Sequence, residues 1–172
     1  MTADDRELLE FYIARGRAAY GAPFDAAWLD TELRAFVRAR LPARRPLAVC
    51  NIGIGDGAWD DWLGYIVGAT ITSVDRDARA CRMLALRQLR EAHPHPARVM
   101  CGDVRDGILG HATYDVITAI GEHHDRGATR RALLDALVPG GLLLGAEVGD
   151  GATDDQVVAR GDVWLSCHAR TR

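Results

Sequence analysis

The residues that most restrict what this chain can fold into are 47–58, Leu-Ala-Val-Cys-Asn-Ile-Gly-Ile-Gly-Asp-Gly-Ala. A short apolar run, Leu47 to Ile52, opens directly into glycines at 53, 55 and 57, and Trp59, Trp62 and Leu63 then follow at the spacing of a helix's buried face. A strand that feeds a helix through a turn without side chains lets the backbone approach a nucleotide-like ligand closely. The N-terminus of the following helix offers unpaired N–H groups to the same ligand. Such a turn also serves purely structural needs, so its meaning depends on what the rest of the chain builds around it.

Downstream, apolar runs alternate with helical patterns. Residues 69–75 form a β-branched run ending in Asp75, and residues 77–92 carry Ala80, Met83, Leu84, Leu86 and Leu89 with arginines between, which predicts a helix. Arg98 to Cys101 is a third strand running into Gly102-Asp103, and Tyr114 to Ile120 is a fourth, ending at Gly121-Glu122-His123-His124. A helix is expected over 128–138, stopped by Pro139-Gly140-Gly141, and Leu142 to Val148 is a fifth strand. Nearly continuous apolar strands alternating with helices predict a mostly parallel sheet covered on both faces. Two short runs, 156–160 and 163–168, flank Gly161-Asp162 and read as a β-hairpin.

The front of the chain differs. Residues 4–16 have helical periodicity through Leu8, Leu9, Tyr12 and Ile13. Asp25 is placed to cap a second helix carrying Trp28, Leu29, Leu33, Phe36 and Val37, closed by Pro42 and Pro46. A helical cap over 1–42, packing on the sheet or forming a lid, and an α/β core over 43–172 make one domain of the 172 residues. Net charge is −3, and the most basic segment, Arg34, Arg38, Arg40, Arg44 and Arg45, reads as a solvated helix face running into a loop. No nucleic-acid partner is expected from this balance. Four scattered cysteines without a Cys-x-x-Cys pair, no signal-like segment and no membrane-length apolar run lead to the expectation of a reduced, cytoplasmic protein with no membrane contact.

Asp75 gives the glycine turn its weight. It ends the next strand, about twenty residues on, where a carboxylate can accept hydrogen bonds from both hydroxyls of a ribose, although it could equally cap the helix that follows. A nicotinamide cofactor would align Gly53, Gly55 and Ala58 with the phosphate turn, but only about two dozen residues follow the fifth strand, too few for a separate substrate domain.

In order along the chain stand Val49-Cys50-Asn51-Ile52-Gly53-Ile54-Gly55-Asp56-Gly57, Val74-Asp75-Arg76, Cys101-Gly102-Asp103-Val104 and Leu137-Val138-Pro139-Gly140-Gly141-Leu142. This succession resembles the class I S-adenosylmethionine-dependent methyltransferases over roughly residues 25–148. The resemblance implies a Rossmann-like seven-stranded mostly parallel sheet with helices on both faces and, here, a shortened C-terminal β-hairpin. It also implies roles by position. Gly53, Gly55 and Gly57 would lie against the methionine part of the cofactor, Asp75 would hold the ribose with Arg76 beside the adenine, and Asp103 and the Val104 N–H would meet the adenine edge. Ile120 to His123 would border the methyl group.

Two departures from the pattern stand out. Asn51 occupies a position where the family usually carries a carboxylate, and the loop 149–155 replaces a helix that usually precedes the last strands. Part of the substrate wall would then be missing, leaving the N-terminal helices or a second copy of the chain, as in a homodimer, to close the site.

Glu122, His123 and His124 are the candidate catalytic residues. Methyl transfer from a sulfonium is an in-line displacement dominated by alignment, to which an enzyme can add a base for the attacking oxygen or nitrogen. Histidine suits that task near neutral pH. Carboxylates are too sparse at the strand ends for a metal-assisted version, so no metal is expected. The expected function is S-adenosylmethionine-dependent methylation of a small molecule. The chain's 21 basic residues include no lysine, and with its Ala and Gly content this hints at a bacterial, GC-rich source and at specialised metabolism. A non-catalytic cofactor-binding partner or regulator is the rival.

Overall fold

The computed structural model describes residues 5–7, 10, 29–43, 46–66, 68–120, 127–148, 156–160 and 163–171. A π-helical turn, Leu29–Leu33, leads into α1, Arg34–Arg40. Then come β1, Leu47–Ile52; α2, Ala58–Gly64; β2, Ala69–Asp75; α3, Ala78–Arg90; and β3, Arg98–Cys101. After a 3-10 turn, Val104–Asp106, follow β4, Tyr114–Ile120; α4, Ala128–Ala136; β5, Leu137–Val148; β6, Gln156–Arg160; and β7, Val163–Ala169.

The strands form one sheet in the order β3-β2-β1-β4-β5-β7-β6. Every pairing from β3 through β5 is parallel, whereas β7 runs antiparallel to both β5 and β6. The order reverses between β1 and β4, and that crevice, at the carboxyl ends of the strands, is where open α/β sheets take their ligands. This is the mixed α/β, Rossmann-like arrangement expected, with the final hairpin antiparallel.

Strand alternation decides which helix lies on which face. Leu47 and Val49 of β1 join Phe36 and Val37 of α1 and Trp59, Trp62 and Leu63 of α2 in one core. Cys50 and Ile52 point the other way, to Leu133 and Ala136 of α4 with Ile117 and Leu143. Each fully buried leucine here, Leu63 or Leu133 among them, contributes about 1.5–3 kcal/mol through loss of water contact.

Two expectations need correction. The helix expected over 128–138 ends at Ala136, and Pro139-Gly140-Gly141 lies inside β5 rather than before it. The strand pairs at Leu137 with Tyr114, irregular backbone follows with Gly140 at φ 77°, and pairing resumes at Leu142 with Val116. In α3, Leu89, one of the apolar residues that mark the helix, is 79% exposed. The stripe set by Ala80, Met83 and Leu84 continues at helical period to positions 87 and 88, which Arg87 and Gln88 fill. The basic segment also departs from a simple solvated face. Arg34 and Arg38 lie over the Trp62 ring, at 5.6 and 5.4 Å, and Arg40 lies 3.7 Å from the Phe36 ring centroid.

Most of the N-terminal cap, with Tyr12, Asp25 and Trp28, lies outside the described residues. Asp5 is described, and its buried carboxylate accepts from the exposed Arg82 of α3 at 2.5 Å. Among the described residues no helix is long and apolar enough to cross a membrane.

Candidate cofactor site

The turn after β1 adopts the backbone its glycines allow. Gly53, Gly55 and Gly57 have φ of 84°, 55° and 76°, in the left-handed region that other residues enter only with strain. Gly53 N–H donates to the Val74 carbonyl (2.9 Å) and Gly57 N–H to the Ile54 carbonyl (2.7 Å), so the turn is tied to β2 and to itself. A Cβ at Gly57 would stand 2.8 Å from Arg87 Nη2 and 2.9 Å from Leu84 Cδ1, whereas one at Gly55 would meet nothing within 4 Å. One glycine is needed for packing beneath the turn, the other leaves room above it.

Behind the turn lies a polar row in an otherwise apolar core. Ser73, Asn51 and Thr118 sit at matched registers on β2, β1 and β4, and all three are fully buried. Asn51 Nδ2 donates to the Gly53 carbonyl (3.1 Å) and to Asp60 Oδ1 (2.9 Å), and Thr118 Oγ1 donates to Asn51 Oδ1 (2.9 Å). Trp59 Nε1 donates to Thr118 Oγ1 at 3.3 Å. Asp60, in the first turn of α2, is 1% exposed. Burial pushes its carboxyl up to about 7, tempered by Ser73 and Asn51 and reinforced by Asp61. Ser73 Oγ is close enough to temper the rise, yet among the described residues neither it nor Asp60 Oδ2 reaches a partner in hydrogen-bonding geometry. A carboxylate therefore does stand beside Asn51, contributed by the helix rather than the strand.

The next strand end is built differently. Asp75 Oδ2 accepts the Ile54 N–H and its Oδ1 the Asp77 N–H, each at 2.8 Å. The cap of α3 is Asp77, whose side chain accepts from the Arg79 N–H at 2.9 Å, so the capping alternative for Asp75 gives way to a tie between the glycine turn and β2. Gly102 N–H donates to the Asp75 carbonyl (2.9 Å), which brings Gly102-Asp103 alongside. Asp103 is gripped by Arg105. Its Oδ1 accepts from Arg105 N (2.8 Å) and Nε (2.9 Å), and its Oδ2 from Nη2 (2.5 Å). Arg105, with Arg76 contributing, holds the Asp103 carboxyl down to about 2. Cys81 Sγ donates to the Asp75 carbonyl at 3.4 Å, and burial with neighbouring Cys101 pushes its thiol up to about 12, which makes it an inert filler rather than a nucleophile.

Glu122, His123 and His124 lie outside the described residues, as does the side chain of Ile120, whose backbone ends β4. Among the described residues no three His, Cys, Asp or Glu side chains are gathered so as to hold a metal ion.

No protein-family model and no curated protein matches the chain. Solved structures do. The [4+2]-cyclase SpnF superposes with a TM-score of 0.61 at 19% identity, covering 72% of this chain and 47% of its own. Coclaurine N-methyltransferase bound to N-methylheliamine and S-adenosylhomocysteine gives 0.59 at 19% identity, covering 74% and 37%. The CurJ carbon methyltransferase gives 0.56 at 18% identity, covering 72% and 35%. The fold is that of the class I S-adenosylmethionine-dependent methyltransferases. The chain spans about half or less of the length of each of these structures.

The residues at this sheet edge fit S-adenosylmethionine. Open space beside Gly55 admits a ligand against the backbone. Each Asp75 oxygen accepts one N–H and so keeps a lone pair for a ribose hydroxyl. Arg76 is exposed near Asp103 on the same edge. Asp103 fits less simply, because Arg105 already occupies both of its oxygens.

Sequence reasoning missed two residues of this methyltransferase fold, Asp60 and Arg87. Arg87 had a readable signal, since it continues the apolar period of α3. Asp60 had none, because it stands among charged neighbours at the start of a short helix.

Proposed function

We propose that the chain binds S-adenosylmethionine at the glycine turn and directs its methyl group to an oxygen or nitrogen of a small molecule. The observation that carries this reading is the junction of Gly53–Gly57, Asp75 and Gly102-Asp103 on one sheet edge, linked by the Ile54 N–H to Asp75 and the Gly102 N–H to the Asp75 carbonyl. When bound, the cofactor supplies an electrophilic methyl group on a sulfonium. The backbone at Gly53, Gly55 and Gly57 would receive its amino-acid end, and Asn51, with Asp60 behind it, would present a polar floor there. Asp75 would hold the ribose, and Arg76, Asp103 and the Val104 N–H would flank the adenine. Glu122, His123, His124 and Ile120, at and after the end of β4, would border the acceptor, with one histidine taking its proton.

Coclaurine N-methyltransferase is crystallised with S-adenosylhomocysteine, which supports the cofactor class. Free thiols at Cys50, Cys81, Cys101 and Cys167 support a reducing, cytoplasmic setting. A bacterial origin and a role in specialised metabolism rest on composition, and a homodimer on the short C-terminal hairpin. Calorimetric titration with S-adenosylmethionine tests the reading. Micromolar binding and methyl release to an acceptor panel are expected, and no binding at millimolar cofactor would sink it.

A second reading is a cofactor-binding protein without methyl transfer. The name of SpnF as a [4+2]-cyclase favours it, since the same fold there carries another reaction. Tight cofactor binding without turnover on any acceptor would select it.

A further inference from the structure

Arg87 is the one charged residue in the buried stripe of α3, following Ala80, Cys81, Met83 and Leu84. Its side chain is 9% exposed. From there it reaches out of α3 to the glycine turn, where Nη1 donates to the Asp56 carbonyl and Nη2 to the Asp61 carboxylate of α2. The same guanidinium fills the space that a Cβ on Gly57 would need. Burying a guanidinium is expensive, and Nε finds no partner among the described residues, so apolar side chains in place of both Arg87 and Asp61 would fill this part of the core at lower cost. Packing alone does not account for an arginine here. Its fork does, because a planar cation with donors at fixed spacing can hold one turn carbonyl and one helix carboxylate together.

We propose that Arg87 is a positioning residue of the cofactor turn, holding the Asp56 carbonyl down so that the N–H groups of Gly55 and Asp56 are set before the ligand arrives. Asn51 grips the other end of the same turn at the Gly53 carbonyl, so the turn is clamped at both ends from beneath. Preorganisation of this kind raises affinity by removing the ordering cost from the binding step. The ligand half of the inference rests on the reading of the turn as an S-adenosylmethionine site. The clamp itself does not.

The experiment compares the wild type with Arg87→Met and Arg87→Lys. S-Adenosylhomocysteine affinity is measured by calorimetry where circular dichroism shows all three folded, with urea denaturation and amide exchange followed in ligand-free protein. Arg87→Met is expected to lower the urea midpoint, because it leaves the Asp61 carboxylate without its partner, to weaken the ligand tenfold or more (about 1.4 kcal/mol) and to speed exchange of the Gly57 amide tenfold or more beyond any change at the β1 amides. Arg87→Lys keeps the charge without the fork, and is expected to lose affinity and Gly57 protection as well; it carries the test if the Met variant does not fold. A folded variant with unchanged affinity and unchanged Gly57 exchange overturns the proposal. A wild type that ignores the ligand overturns the cofactor reading instead, and Gly57 exchange still decides the clamp.

Discussion

The two ends of the proposed cofactor edge are built from the same chemistry under opposite conditions. At the glycine turn, Asn51, Asp60, Thr118 and Arg87 are buried, and each holds another element in place. At the β3 end, Asp103 and Arg105 form a forked pair at the surface, with Arg105 53% exposed. A polar group in the core has no water to fall back on, so its partners determine where the backbone goes. An exposed ion pair competes with water and salt and can open at little cost. The turn is therefore fixed by its core contacts, whereas the Arg105 grip on Asp103 is one that the adenine of the proposed cofactor would replace.

The comparison breaks most directly at the glycines. Gly57→Ala combines left-handed strain with overlap onto Arg87 and Leu84, so urea denaturation is expected to register a loss of about 2–5 kcal/mol. Gly55→Ala carries the strain alone, about 1–2 kcal/mol. Equal losses at the two sites would dissolve the distinction between a packed floor and an open ceiling.

Asp60 gives the next effect, and it depends on pH. Its folded-state carboxyl is raised to about 7, so its contribution is present below the ordinary carboxylate range, about pH 4, and is lost as pH rises through about 7. Asp60→Asn keeps an acceptor for Asn51 and a donor toward Ser73 without that loss. Thermal denaturation is expected to place the variant above the wild type at about pH 8, by on the order of 2 kcal/mol, with the gap closing toward about pH 4. A constant gap would mean that Asp60 does not titrate with folding.

Asp75→Ala removes the acceptor of the Ile54 N–H as well as the proposed ribose ligand. Calorimetry with S-adenosylhomocysteine is expected to register a loss of tenfold or more, about 1.4 kcal/mol. Loss of stability with affinity intact would leave Asp75 only its tie to the turn. The smallest effect belongs to the surface pair. Arg105→Ala is expected to leave the urea midpoint unmoved and to leave cofactor affinity unchanged or slightly improved, since Asp103 is released. A large drop in affinity would move Arg105 from gatekeeper to ligand.

Much of this was legible in order along the chain. The boundaries of β1 to β4 follow from apolar runs and their punctuation. The glycine spacing marked the turn, and Asp75 and Gly102-Asp103 marked the strand ends that the sheet brings beside it. The α3 helix was legible in position but not in phase. Leu89, one of the apolar residues that mark the helix, faces solvent, while the helical period runs through Arg87. Pro139-Gly140-Gly141 read as a stop, but pairing with Tyr114 had already begun at Leu137, a long-range contact that no local signal reports.

What the sequence by itself determined is the alternation of strand and helix, the glycine turn and the carboxylates at the strand ends, because these depend on periodicity and local backbone preference. Only the tertiary structure decided where the missing carboxylate of β1 resides and what holds the turn from below. Asp60 meets Asn51 across a helix–strand contact, and Arg87 reaches the Asp56 carbonyl from 31 positions further along the chain. A buried charge is tolerable only where folding delivers its partner, and that delivery is a property of the packed molecule.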